Sequence, residues 1–184
     1  MKTDAIRIAI DDYDICRVHM ESSDTQFWRR SYIRASFVLM EAMIDVLREK
    51  AMEITFSKKE EYNMTRIDLL GTSEYRILRT GRLEMTNRKV PFLNYLAFIL
   101  RCLAEESGGS IDGHISLEGW RKLGESVKVR DRLTHPKKDT IMDVSDKEAA
   151  ACNDALLWLW KTTVELFENE AWSNYKVVGG NIPE

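Results

Sequence analysis

Between Phe27 and Ala51 the chain has neither glycine nor proline, and Ile33, Phe37, Met40, Ile44 and Leu47 recur at spacings of 4, 3, 4 and 3. That repeat keeps one stripe of a helix apolar. Asp24 or Thr25 stands where a side-chain oxygen can accept from the free N–H groups of the first turn. The pattern predicts a helix of about seven turns. Upstream, Ile6, Ile10, Tyr13 and Met20 are roughly helically spaced. A short N-terminal helix or extension is expected over 1–24, closed by the break at Ser22-Ser23-Asp24-Thr25.

Downstream, Ser57-Lys58-Lys59-Glu60 reads as a capping box that opens a second, shorter helix ending near Gly71. Residues 72–90 do not look helical; the stretch from Tyr75 to Met85 is split by Thr80-Gly81 and suits a small hairpin or an ordered loop. Pro91 suits the first turn of a third helix, with Leu93, Leu96, Ala97, Leu100 and Leu103 on its buried side and Ser107-Gly108-Gly109 as its stop. Ser116 starts a fourth, with Trp120, Leu123, Val127 and Arg130 on one face and Pro136 ending it. A second capping box, Ser145-Asp146-Lys147-Glu148, opens a long last helix to about Ala171. Cys152, Ala155, Leu156, Leu159, Val164 and Phe167 form its inner face, with Trp158, Trp160 and Trp172 adding area, and a frayed tail is expected over 173–184. The fold class is all-α: one antiparallel helical bundle with its core over about 25–172, two long helices flanking shorter ones.

Composition narrows the field. A chain of 184 residues can bury a core without disulfides or metals. Three prolines and nine glycines are too few for a sandwich or barrel of many short strands. No apolar run reaches the length of a membrane span, and MKTDAIRIAIDDYD carries acids where a signal peptide needs an apolar stretch. Cys16, Cys102 and Cys152 are odd in number and form no CxxC, so reduced thiols and a cytoplasmic location are expected. A net charge of -3 leaves nucleic-acid contact to a local patch. There is no phosphate loop, GxGxxG or GxSxG, and His19, His114 and His135 show no metal-ligand spacing. No cofactor or metal is expected.

One stretch carries candidate chemistry: Val129-Arg130-Asp131-Arg132-Leu133-Thr134-His135-Pro136-Lys137-Lys138. Arg130 falls on the stripe with Trp120, Leu123 and Val127, and a guanidinium aimed at a core needs a partner or a purpose. Five residues turn an ideal helix by about 140° beyond full circles. His135 would therefore face away, except that Pro136 unwinds the helix there and lets the imidazole swing back toward Arg130. A fixed cation would then stand beside a group that ordinarily titrates near neutral pH.

Arg130 to His135 fits the R-x4-6-H motif of HEPN domains, which often carries Asn, Asp or His directly after the arginine. The chain resembles that family more widely, from about Thr25 to Trp172, in its long first helix (Phe27-Trp28-Arg29-Arg30-Ser31-Tyr32-Ile33-Arg34, then Glu41) and its motif near a late helix. The resemblance implies a metal-independent RNA endonuclease, a toxin or defence component, acting as a homodimer. A cognate antitoxin or another protein partner would go with it. It implies His135 as general acid or base, Arg130 on the phosphate and Asp131 orienting either, with Glu41 and Arg34 as a supporting polar shell. Candidates for RNA contact are Arg29, Arg30 and Arg34 and the locally basic stretch with Arg76, Arg79, Arg82, Arg88 and Lys89. A second reading stays open. Some HEPN-like domains are inert interaction modules; there Arg130 pairs with Glu41 or another carboxylate, and His135 caps its helix. Five tryptophans, more than one bundle core needs, also favour an interface between copies.

Overall fold

The computed structural model describes residues 2–57, 61–71, 73–77, 80, 82–87, 90–106 and 117–167. Among them the chain is mostly helical, with a single hairpin. The elements are α1 (Lys2–Ser23), α2 (Gln26–Ser57), α3 (Glu61–Leu70), β1 (Ser73–Ile77), β2 (Leu83–Asn87), α4 (Phe92–Glu106), α5 (Glu118–Thr134) and α6 (Asp146–Phe167). None of these helices is long and apolar enough to cross a membrane. Packing divides the chain into two units, residues 1–44 with 112–184, and residues 45–111.

In the first unit, α1 and the start of α2 form a helical hairpin around a two-residue break. Asp24 takes a left-handed backbone with φ 36°, and its N–H still reaches the Met20 carbonyl at 2.9 Å. Aspartate is among the few residues that enter this region with little strain. Thr25 then caps α2, its Oγ1 accepting from the Trp28 N–H at 3.4 Å. Tyr13 meets Tyr32 at 5.6 Å between ring centroids and His19 stacks on Trp28 at 4.3 Å, which fixes the antiparallel pairing.

Ile6, Ala9 and Tyr13 are buried, so α1 packs into the core rather than forming an extension outside it. The helix is longer than expected because α1 carries apolar residues on both sides. Ile8, Ile15 and Val18 are each more than half exposed, and they blur the period that would mark one buried face.

All five positions of the α2 stripe are buried. The helix continues past Ala51 to Ser57 because Ala51 and Thr55 are buried as well, with Thr55 Oγ1 donating to the Ala51 carbonyl. Ser57 is therefore the last residue of α2, and Lys58-Lys59-Glu60, the rest of the first capping box, lies outside the described residues.

The second unit holds the end of α2, α3, the hairpin and α4. The Gly71 N–H closes α3 by donating to the Ile67 and Asp68 carbonyls at 3.0 and 3.1 Å. The two strands pair antiparallel, with Tyr75 opposite Met85 and Arg76 opposite Glu84, so the expected hairpin forms. Pro91 sits just before the first residue of α4, its carbonyl accepting from Tyr95 at 3.0 Å. Leu96, Leu100 and Leu103 are buried as the pattern predicts, joined by Ile99, whereas Leu93 and Ala97 are only half-buried. The Tyr95 hydroxyl donates to the Leu70 carbonyl at 2.7 Å, and Arg66 pairs with Glu105, which fastens α3 to α4. Ser107-Gly108-Gly109 lies outside the described residues.

In the first unit again, α5 starts after Leu117 without a side-chain cap; Ser116 lies outside the described residues. Its buried face is Leu123, Ser126, Val129 and Leu133. Trp120, Val127 and Arg130 are only half-buried, so the helix is rotated from the expected stripe. The small Ser126, its hydroxyl bonded back to the Lys122 carbonyl, turns inward where the pattern placed Val127.

The second capping box forms as drawn. The Glu148 N–H donates to Ser145 Oγ at 3.3 Å, and the Ser145 N–H donates to Glu148 Oε2 at 2.9 Å. Cys152, Ala155, Leu156, Leu159 and Trp160 of α6 are buried, whereas Val164 is exposed. The Phe167 side chain, Trp172 and the tail lie outside what is described. Helices α5 and α6 run antiparallel, tied by Lys122–Asp154 at 3.2 Å and Arg132–Glu148 at 2.8 Å. Trp120 meets Trp158 edge-on at 5.5 Å. Gly119 lets the two helices close there, since a Cβ on it would stand 2.1 Å from the Trp158 ring.

Candidate functional site

Pro136 does end α5, and its effect falls on the residue before it. His135 is the C-cap, with φ -125° and ψ 62°, its N–H donating to the Asp131 carbonyl at 2.8 Å. Beyond Pro136 the chain closes a turn. The Thr140 N–H donates to the Lys137 carbonyl at 2.9 Å, and the Lys137 N–H donates to Thr140 Oγ1 at 2.7 Å. The reciprocal pair closes this turn on itself. Between the turn and the helix end lies a hollow of about 570 Å³ lined by Asp131, Arg132, His135, Lys137, Asp139, Thr140 and Ile141. His135 is exposed on its rim.

Arg130 does not line that hollow. Its guanidinium lies over the Phe37 ring of α2 at 5.2 Å, and its Nε stands 3.3 Å from Asp131 Oδ1. The expected swing of His135 toward Arg130 therefore does not bring the two into one cavity. The residue that joins His135 is Arg132. Its spacing shows why: three residues apart on a helix share a side, five do not. The i, i+3 spacing of Arg132 and His135 is legible in the sequence, whereas the R-x4-6-H motif points to Arg130. Of the supporting residues from α2, Arg34 reaches the end of α5, its Nη2 donating to the Leu133 carbonyl at 3.4 Å. Glu41 is exposed.

Arg132 is held from two sides. Its Nη1 donates to Glu148 Oε1 at 2.8 Å and its Nη2 to the Asp143 carbonyl at 2.9 Å. Its Nε is buried and finds no hydrogen-bond acceptor among the described residues. Burial pushes the Glu148 carboxyl up, but the hydrogen bonds from Arg132 and Ser145 outweigh it and hold it below the usual glutamate value. Arg132 also walls a second hollow of about 460 Å³ between α5 and α6, with Glu125, Ser126, Lys128, Val129, Lys147, Glu148 and Ala151. Sequence reasoning nominated none of Arg132, Lys128, Lys137 and Lys147.

A third hollow of the first unit is polar in a different way. This one, of about 470 Å³ between α1, α2 and α6, is lined by Arg17, Glu21, Asp24, Arg29, Tyr32, Asp146 and Asn153, among others. Arg29 donates from Nε and Nη2 to Asp24 at 2.6 and 2.7 Å and from Nη1 to the Val144 carbonyl at 2.9 Å. It also pairs with Asp146 at 2.5 Å. The Arg29 hydrogen bonds hold the Asp24 carboxyl below its usual value. Below it, the Tyr13 and Tyr32 hydroxyls both donate to Asn153 Oδ1, at 3.4 and 3.2 Å, and burial pushes both phenols up. Arg29, expected to meet RNA, is thus spent on the fold. Arg30 is half-buried on α2; Arg76 and the exposed Arg82 belong to the hairpin of the second unit, and Arg79, Arg88 and Lys89 lie outside the described residues.

Cys152 is fully buried, and that burial pushes its thiol up to about 12 against hydrogen bonds from Ser36 and Ser126, so it stays protonated. No group of three or more His, Cys, Asp and Glu side chains among the described residues is placed to hold a metal ion. No family model, curated protein or solved structure matches the chain, and the functional reading rests on the geometry.

Proposed function

We propose that the protein is a metal-independent RNA endonuclease of the HEPN type, with His135 as the proton-transfer group. The observation that carries the reading is His135 itself, exposed on the rim of a hollow that also holds Arg132 and Lys137. In the reaction the 2′-oxygen attacks the adjacent phosphorus and the bond to the 5′-oxygen breaks, leaving a 2′,3′-cyclic phosphate and a 5′-hydroxyl. One proton leaves the 2′-oxygen and one reaches the 5′-oxygen; an imidazole at the rim can serve either transfer. A guanidinium at the same hollow stabilises the charge that builds on the phosphate. Arg130, over Phe37 and beside Asp131, then acts by positioning the end of α5.

The same reading includes a homodimer and, for a toxin or defence component, a protein partner that restrains it. The exposed Ile8, Ile15 and Val18 on the outer side of α1 support such an interface. A sedimentation mass that stays at 21.4 kDa at high concentration would count against the dimer.

Two observations favour the other reading, an inert interaction module: Arg130 packs against Phe37 and Asp131 as a structural side chain does, and His135 is the C-cap of α5. Incubation with total RNA in EDTA separates the two. Wild type should cut, and His135→Ala should lose roughly 100- to 10,000-fold in rate with no change in melting temperature, because His135 is exposed. Intact RNA in the wild-type lane would leave the module reading in place.

A further inference from the structure

The two hollows beside α5 share a wall, Arg132. One lies between α5 and α6, the other between the end of α5 and the 137–141 turn, so the pair runs along α5 to His135. Four cations line it: Lys128, Lys147, Arg132 and Lys137. Of the four acids along it, Asp139 makes no ion pair among the described residues, and the other three are engaged, Glu125 by Arg121, Glu148 by Arg132 and Asp131 by Arg130. The three lysines are not; none makes an ion pair among the described residues. From Glu118 to Lys138 there are seven basic and three acidic residues, in a chain whose net charge is -3.

Lys147 is the most telling of them. It sits in the first turn of α6, where the helix dipole disfavours a cation. A residue kept at a cost to its helix, with no partner to offset it, points to a partner from outside.

We propose that the seam of α5 and α6 is the track for the backbone of a single-stranded RNA. Phosphates lie on Lys128, Lys147, Arg132 and Lys137, and one nucleotide enters the His135 hollow, where Ile141, 72% exposed, offers an apolar surface to the base. This rests on the ribonuclease reading for what happens at His135, but not for the binding. The hollows, at about 460 and 570 Å³, are of the size that takes a small molecule such as one nucleotide.

The test uses the full chain carrying His135→Ala, so that the strand survives, and a fluorescein-labelled oligouridylate read by anisotropy across a salt series. Adding Lys128→Gln and Lys147→Gln should weaken binding and lower the slope of log affinity against log salt by about 1.4, about 0.7 for each phosphate that no longer meets a lysine. Arg7→Gln, an exposed arginine of α1 off the track, should leave the slope unchanged. Both lysines are exposed, and a melting curve equal to that of the parent shows that the fold is kept. Unchanged binding in the double variant overturns the track, as does no RNA binding at all. So does polyglutamate competing as well as RNA, which would make the seam a site for an acidic protein. If the strand binds along the seam but wild type cuts nothing, the ribonuclease reading falls and the track stands. If wild type cuts through His135 while the double variant keeps its KM, the track falls and the ribonuclease reading stands.

Discussion

The first unit has two polar faces, and they treat charge in opposite ways. Between α1, α2 and α6, Arg29 is divided among Asp24, Asp146 and the Val144 carbonyl, and the two tyrosine hydroxyls converge on Asn153. That face uses its polar groups to join three helices. Along α5 and α6, Lys128, Lys147 and Lys137 join nothing within the described chain, and Arg132 keeps a buried Nε–H without an acceptor. A polar group that the fold consumes should matter to stability and little to function; one that the fold leaves over should do the reverse.

The largest stability effect belongs to the consumed face. Asn153→Ala removes the acceptor of two buried hydroxyls, and at about 1–3 kcal/mol for each buried donor left unpaired it should cost roughly 2–4 kcal/mol by urea denaturation. A loss below about 0.5 kcal/mol, the scatter of ordinary surface changes, would mean that the network does not hold this face together.

The seam between α5 and α6 has one structural requirement of its own, the close approach at Gly119. Gly119→Ala drives a Cβ into the root of the Trp158 side chain, which has no free end to move. Overpacking of this kind costs about 1–3 kcal/mol. Unchanged stability would show that the seam can open, and with it the track. Ser145→Ala, which removes one side of the α6 capping box, should cost about 1 kcal/mol and should show in the melting of α6.

Acid distinguishes the faces further. Asp24 on one and Glu148 on the other both have carboxyls held below their usual values. The unfolded chain therefore binds protons more tightly than the native one, and unfolding takes protons up. The stabilisation is fully present above the ordinary glutamate value of 4.5, declines as pH drops below it, and is lost once pH passes the depressed native value. Glu148→Gln and Asp24→Asn should each flatten the acid limb of a stability–pH curve; an unaltered limb would contradict the pairing. The smallest effect is expected on the other side of the comparison. Lys147→Gln removes a cation from a helix N-terminus and should be neutral or stabilise by a few tenths of a kcal/mol.

Much of this was legible in the chain. The α2 stripe, the Ser145 box, the Gly71 stop and the hairpin follow from periodicity and local hydrogen bonding alone, because each is decided within a few residues. The misses have physical causes. Helix α1 shows apolar residues on both sides, so no single period marks its buried face. In α5 a stripe read through Trp120 and Arg130 was out of phase with the true one through Ser126 and Val129, since a buried serine looks polar in sequence. The true phase leaves Arg130 half-buried and puts Arg132 on the side of the helix that His135 shares. The commitment of Arg29 to Asp146, far along the chain, is a tertiary fact that no local pattern reports.

The comparison meets its most direct test in a map of amide chemical shifts, taken on the His135→Ala chain as a short oligouridylate is added. The account predicts shifts at Lys128, Arg132, Lys137, Thr140, Ile141 and Lys147, with Arg17, Asp24, Arg29 and Asn153 unmoved. Shifts gathered around Arg29 and Asn153, with the seam of α5 and α6 silent, would contradict it.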